Sequence, residues 1–263
     1  MITLTILILL AMLVVMSAAW VFQRRMDNGG WADVFWTYGT GLTCAVAALA
    51  PASIDNAVSW RQWLVATLVA VWSIRLGTYV AIRVAHGRED VRYAVIRRDW
   101  GRSFQRNMFG LLIIQAPVSA ALGIAILFAA HQPDQRFRPT DIAGLVILIG
   151  AVVGEGIADG QMTRFKADLA NHGKVCDRGL WAWSRHPNYF FETLIWVAFP
   201  VMGISLARPW SLLSLGAPIV MFLLIRYVSG VPPLEAAMLE SKGDAYRRYQ
   251  QRVAVMLPWR PNH

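Results

Sequence analysis

Seven apolar stretches separated by polar segments set the rhythm of the chain. They are Thr3 to Phe22, Asp33 to Ala50, Trp63 to Ala81, Met108 to Ala130, Ile142 to Ala158, Phe190 to Leu206 and Leu212 to Tyr227. A helix needs roughly 17 to 25 residues to cross a bilayer's hydrocarbon core, and each stretch is close to that length. None alternates like a barrel strand, and backbone polar groups inside hydrocarbon must be satisfied within their own segment. The pattern therefore predicts an all-α, polytopic membrane protein with about seven transmembrane helices, forming a single integral membrane domain over 1–263.

Composition sharpens this picture. Hydrophobic residues make up 56% of the 263 and charged residues only 16%, well to the apolar side of a soluble domain. The 25 Lys and Arg against 16 Asp and Glu leave a net charge of +9, and these charges sit between the apolar runs. Basic loops at an anionic leaflet or an anionic cofactor account for that pattern better than nucleic acid does. The loops after the first, third and fifth runs and the tail after the seventh carry most of the Arg and Lys, including Arg83, Arg88, Arg92 and Arg97 in the second of them. The opposite side holds only Arg61, Arg136, Arg138 and Arg208. The positive-inside rule then puts the N-terminus outside and the C-terminus in the cytoplasm, as expected of a multi-pass protein of a bacterial inner membrane. The first run lacks a basic flank before it and has Arg24 and Arg25 after it, so it reads as a retained helix rather than a cleaved signal.

Two cysteines, Cys44 in an apolar run and Cys176 in a basic loop, predict no disulfide. The histidines His86, His131, His172, His186 and His263 fall singly, which argues against paired metal-ligand spacing and diiron chemistry. No internal repeat of the transporter type is evident.

The densest polar segment is Gly179-Leu180-Trp181-Ala182-Trp183-Ser184-Arg185-His186-Pro187-Asn188-Tyr189-Phe190-Phe191-Glu192. Once a helix begins at Pro187, Asn188 and Glu192 share a face, and a carboxylate inside a membrane helix is a functional hypothesis by default. The plainer alternative is a helix start in which Ser184 and Asn188 cap the first turn. Before this segment, Glu155 and Asp159 fall at the expected end of the fifth run, where the helix dipole disfavours carboxylates unless something donates to them. Lys166, Lys174 and Arg185 nearby are suited to phosphates.

The run Ala158-Asp159-Gly160-Gln161 through Phe165-Lys166, the Gly179 to Glu192 segment, and the tail with Tyr246, Tyr249 and Leu257-Pro258-Trp259 together resemble the C-terminal half of the steroid 5α-reductase family and its bacterial relatives; sterol C=C reductases share much of it. The resemblance implies that 108–263 is a cofactor-binding half and 1–107 a half of substrate-side helices with the first cytoplasmic loop. It implies NADPH as cofactor, held by Asp159, Lys166, Lys174, Arg185, His186, Asn188, Tyr189, Glu192 and Tyr246. Glu89-Asp90-Val91-Arg92-Tyr93 resembles a motif of the bacterial relatives and adds Arg92 and Tyr93 to the cofactor set. Glu155 stands where the family has an asparagine. No GxGxxG follows a strand, so a Rossmann site is absent and the cofactor would lie among helices.

Reducing a C=C conjugated to a ketone requires a hydride at the β carbon and a hydrogen-bond donor on the carbonyl oxygen. The resemblance implies an acid and a tyrosine for the second role, and Asp33 and Tyr38 are the candidates, a carboxyl kept neutral by burial being able to donate. The alternative is a helix cap for Asp33 and interfacial packing for Tyr38. Arg75, central in the third run, predicts pairing with a carboxylate such as Asp33 or Glu192. The expected activity is NADPH-dependent reduction of a 3-oxo-Δ4 steroid or similar lipid enone, with membrane lipids as surroundings and no nucleic-acid partner. The competing reading is an S-adenosylmethionine-dependent membrane methyltransferase resembling isoprenylcysteine carboxyl methyltransferase, whose motif also has Arg-His-Pro before a helix.

Overall fold

The computed structural model describes residues 1–51, 57–87, 89–134 and 136–261. Arg88 and His263 lie outside the described residues. Eleven α-helices are described: α1 Ile2–Met26, α2 Trp31–Ala48, α3 Trp60–His86, α4 Val91–Trp100, α5 Phe104–Ile113, α6 Gln115–Ala130, α7 Pro139–Ala167, α8 Pro187–Gly203, α9 Gly216–Leu223, α10 Val231–Lys242 and α11 Asp244–Arg252. Among the described residues the extended pairing amounts to two isolated bridges, Ser184 with Ala254 and Ser205 with Arg208. The protein is all-α.

All seven apolar runs fall mainly on helix, and five stretches are long and apolar enough to cross a membrane: Ile2–Met26, Trp60–His86, Val91–Ala130, Pro139–Ala167 and Pro209–Lys242. α2 and α8, at 18 and 17 residues, are shorter. Along α7, Val146, Ile149, Val153 and Ile157 form an exposed apolar stripe, each about half exposed or more. Water would penalise such a stripe, whereas lipid would not. Pro117 explains why α5 and α6 are separate: it lacks an N–H and its ring excludes the carbonyl of residue 113, so the helix breaks at Ile114.

The chain folds as two compact units. Unit 1 comprises Met1–Gly144 and Trp196–Val220. Its centre is α1, α2, α3 and α6, with Met12, Met16, Leu122 and Ile126 fully buried. Trp72 stands edge-on to both Trp36 and Trp196, with ring centroids 6.1 and 5.0 Å away, so these tryptophans form packed core. Hydroxyls inside it find partners: Ser73 donates to the Thr37 carbonyl, and Thr40 bonds Ser119. At one end of this unit, Arg61 and Asp141 form a fully buried bidentate pair at 2.5 and 2.6 Å. Arg138, Arg208 and Gln132 cap the carbonyls of Met202, His131 and Gly203 there, which answers the unpaired carbonyls that every helix leaves at its C-terminus.

Unit 2 comprises Leu145–Ile195 and Met221–His263. Here α7 continues to Ala167, nine residues beyond the apolar run, because Arg164 and Lys166 in its last turn complement the helix dipole. Glu155 and Asp159 therefore lie two or more turns inside the helix rather than at its end, and the dipole argument made for them from the sequence does not apply. After the α9 segment the chain makes a π turn over Leu224–Val228 and re-enters helix at α10.

Candidate functional site

In unit 2, the segment preceding α8 is fastened at both sides. Gly179 has φ +59°, and a Cβ there would meet the Gln161 side chain at 2.6 Å. Only glycine lets the chain come down onto α7, where Gln161 accepts from the Leu180 N–H at 2.9 Å. Trp181 follows, its Nε1–H donating to the Ala158 carbonyl beside Asp159 at 3.0 Å. On the other side the C-terminal tail lies along the same segment: Arg185 N–H donates to Ala254 O, Trp259 N–H to Trp183 O, and Ser184 Oγ to Met256 O. Ser184 Oγ also accepts from the His186 N–H, so the serine positions the α8 start.

This framework collects polar groups in an apolar setting. Glu155, Asp159 and Glu192 are all buried, at 3%, 5% and 6% exposure. The Phe191 ring lies against Gly154 so closely that a Cβ on Gly154 would sit 2.4 Å from it. The α7 turn bearing Glu155 is thereby set beside the α8 turn bearing Glu192. Asn188 lies one turn before Glu192 and is half-buried, and among the described residues no hydrogen bond uses its side-chain amide. Lys166 and Lys174 are exposed.

Arg185 and His186 meet a residue that the sequence did not single out. Glu235, on α10, accepts from Arg185 Nε at 2.7 Å and Nη2 at 3.3 Å, from His186 Nε2 at 3.0 Å and from Gln250 Nε2 at 2.9 Å. Arg185 Nη1 donates to the carbonyls of Gln250 and Val253, both at 2.8 Å, so four of the guanidinium's five N–H groups are committed inside the fold. Arg185 thus works as a strut, unlike the free phosphate fork expected of it. The His186 ring stacks on Tyr189, 5.4 Å between centroids and 11° between planes. Its Nε2 faces the carboxylate, and its buried Nδ1 has no hydrogen-bond partner among the described residues. Burial holds the His186 pKa below its ordinary value despite the Glu235 contact. Tyr246 is buried beside the same carboxylate, and burial with the Glu235 charge raises its hydroxyl pKa. A lone acid following Val231-Pro232-Pro233-Leu234 was the available sequence signal for Glu235.

Unit 1 has its own cluster. Arg92 Nη2 donates to Asp33 Oδ2 at 2.7 Å, and Tyr93 Oη donates to Oδ1 at 2.8 Å. Asp90 caps α4 through the Arg92 N–H and accepts from the Arg92 guanidinium and from Arg83. Burial alone would raise the Asp90 pKa, but the charge and hydrogen bonds of Arg92, with Arg83 behind them, outweigh it and lower the value to about 2. Glu89 accepts from the Gly29 N–H and from Arg97, which also reaches Asp27. The Asn28-Gly29-Gly30 turn has to be bare, since a Cβ on Gly29 would lie 2.7 Å from the Tyr93 ring.

Arg92 and Tyr93, assigned to the cofactor from the sequence, are thus joined to Asp33, assigned to the substrate. In this arrangement the Asp33 carboxylate accepts hydrogen bonds. Tyr38 belongs to a different network: its hydroxyl bonds Thr78 at 2.9 Å and its ring covers Gly77. Arg75 lies over the Tyr79 ring.

A family model described as "Protein of unknown function (DUF1295)" matches residues 19–253. A protein of Schizosaccharomyces pombe described as uncharacterized is 26% identical, the match covering 89% of this chain and 76% of that one. No solved structure matches significantly. With its match running from α1 into the tail beyond α11, the chain belongs to the DUF1295 family of proteins of unknown function.

Proposed function

We propose that this protein is a membrane-embedded, NADPH-dependent reductase of a C=C conjugated to a ketone, acting on a 3-oxo-Δ4 steroid or a similar flat lipid enone. The observation that carries the reading lies in unit 2. Unspent polar groups, the Asn188 amide and His186 Nδ1, share one helix start with the buried Glu192, on a segment whose residues resemble the steroid 5α-reductase motif. Buried charge in apolar helices is costly, and a ligand that uses it is the usual reason it persists.

The donor set fits a nicotinamide dinucleotide. Asp159 and Glu192 are acceptors suited to ribose hydroxyls or a carboxamide, Asn188 offers both a donor and acceptors, and Lys166 and Lys174 are exposed cations suited to phosphates. NADPH, when bound, supplies the hydride for the β carbon. The chain's residues hold and orient: Glu235 fixes Arg185 and His186, and Ser184 and Gln161 fix the segment between α7 and α8. Asp33 and Tyr38 take the substrate side, where a hydrogen bond to the carbonyl oxygen stabilises the developing enolate. Asp33 can take that part only as a protonated carboxyl, with its Arg92 and Tyr93 contacts exchanged for substrate; Tyr38 already carries a hydroxyl donor. The helices supply an apolar, water-poor setting for the reaction. We further propose seven crossings of a bacterial inner membrane, with α2 and α8 as the short spans, the N-terminus outside and the C-terminus cytoplasmic.

Thermal stability of detergent-purified protein with NADPH, NADP+, NADH and S-adenosylmethionine tests this, because a ligand that binds only the folded state raises the midpoint. NADPH is expected to stabilise, and Asp159→Ala and Asn188→Ala to abolish the shift. Asp33→Asn and Tyr38→Phe should keep the shift and lose turnover. Stabilisation by S-adenosylmethionine alone would replace the reductase with the methyltransferase that the Arg185-His186-Pro187 run also resembles.

A further inference from the structure

Unit 2 also carries a surface groove of about 540 Å3 between the segment 173–177 and α11. Lys174, Arg248 and Arg252 line it against a single carboxylate, Asp177, leaving two positive charges in excess. The face of α11 explains how the cations arrive there. Tyr246 and Tyr249 turn inward and are buried, so Arg248 and Arg252 project outward. Arg252 meets Asp177 at 3.5 Å with both side chains about half exposed, whereas among the described residues no ion pair engages Lys174 or Arg248. The groove's floor is firm: Tyr249 Oη donates to the Trp181 carbonyl at 2.5 Å, and Trp181 is in turn tied to the Ala158 carbonyl.

We propose that this groove binds a phosphate ester. An ammonium and two guanidinium forks line one surface groove with one anion to compete, and that combination suits a phosphate's compact charge and several acceptor oxygens. A solvated basic face without a ligand would show cations dispersed over the helix, whereas here two different chain segments bring them together over a fixed floor. Two sources carry this chemistry. One is the phosphate on the adenosine ribose of NADPH, which rests on the reductase reading and makes the groove the element that prefers NADPH to NADH. The other is an anionic phospholipid headgroup, which does not depend on that reading.

The test uses full-length protein in nanodiscs of zwitterionic lipid, titrated with adenosine 2′-monophosphate, NADP+ and NAD+, and separately in nanodiscs containing phosphatidylglycerol, with retained lipid measured by native mass spectrometry. Arg248→Ala with Arg252→Ala should weaken the phosphate-bearing ligand about tenfold or more, and raising salt should weaken it in the wild type. Asp177→Asn, which removes the competing carboxylate, should tighten it about threefold, a gain that a purely structural role for these residues would not produce. Loss of nucleotide binding alone identifies the nucleotide as the source, and loss of phosphatidylglycerol alone identifies lipid. If neither class binds the wild type, or both bind the double variant as well as the wild type, the groove is no phosphate site. NADP+ binding that the double variant leaves intact, with lipid retention also unchanged, overturns the groove while the reductase reading survives. Phosphatidylglycerol lost in the double variant, with no nucleotide bound to the wild type, supports the groove and removes the reductase.

Discussion

Replacing Glu235 by alanine should be among the most damaging single changes in unit 2. The carboxylate accepts from Arg185 twice, from His186 and from Gln250, and Arg185 is only 9% exposed. Removing one partner of a buried pair costs about 3–5 kcal/mol because the other charge is left uncompensated. Two terms reduce that here: Glu235 is 15% exposed, so water reaches the site, and Arg185 keeps the carbonyls of Gln250 and Val253. The expected loss is about 2–4 kcal/mol, measured as the shift in reversible unfolding by dodecyl sulfate titrated into mixed micelles. A double variant, Glu235→Leu with Arg185→Met, removes both charges and should recover at least half the loss, since a buried ion pair is often no more stabilising than an apolar replacement. A loss below about 1 kcal/mol for Glu235→Ala, or a double variant no better than the single one, would refute the view that Glu235 compensates Arg185.

Other outcomes follow from the same geometry. Asp141→Ala leaves Arg61 buried without its carboxylate and should cost about 3–5 kcal/mol in the same unfolding titration. Gly29→Ala drives a methyl into the Tyr93 ring and should loosen the Asp33–Tyr93 contact, lowering stability by about 1–3 kcal/mol and making Tyr93 accessible to nitration. Asp90 has its pKa depressed from 3.8 to about 2, so its contribution, about 2 kcal/mol, is complete above pH 3.8 and disappears as the pH falls through about 2. Asp90→Asn should lower stability at neutral pH and flatten the acid limb of the stability profile in that window.

Much of the fold was legible because its dominant signal, apolar runs of bilayer length, is local. The ends were not: α7 runs on to Ala167 through polar sequence, since Arg164 and Lys166 suit a helix C-terminus and hydropathy alone cannot report that. The single run over Met108 to Ala130 became two helices that part at Ile114, ahead of Pro117, a break the sequence contained but hydropathy averaging concealed. For the site, the Gly179 to Glu192 segment stood out because polar residues crowd before an apolar helix. Glu235 did not, because its meaning depends on Arg185, fifty residues away in sequence, and only folding brings them within 2.7 Å. Asp33 and Tyr38 shared a helix in sequence, yet five residues along a helix point to different faces, and they joined different networks.

In the proposed reaction hydride passes from NADPH to the β carbon of a lipid enone on this chain. Purified protein incubated with a 3-oxo-Δ4 steroid and NADPH deuterated at both C4 positions tests it, with the product read by mass spectrometry and NMR. The expected product is a saturated ketone carrying one deuterium at the former β carbon, formed by the wild type and not by Asn188→Ala. Saturated product without that deuterium, or equal product from Asn188→Ala, would contradict it.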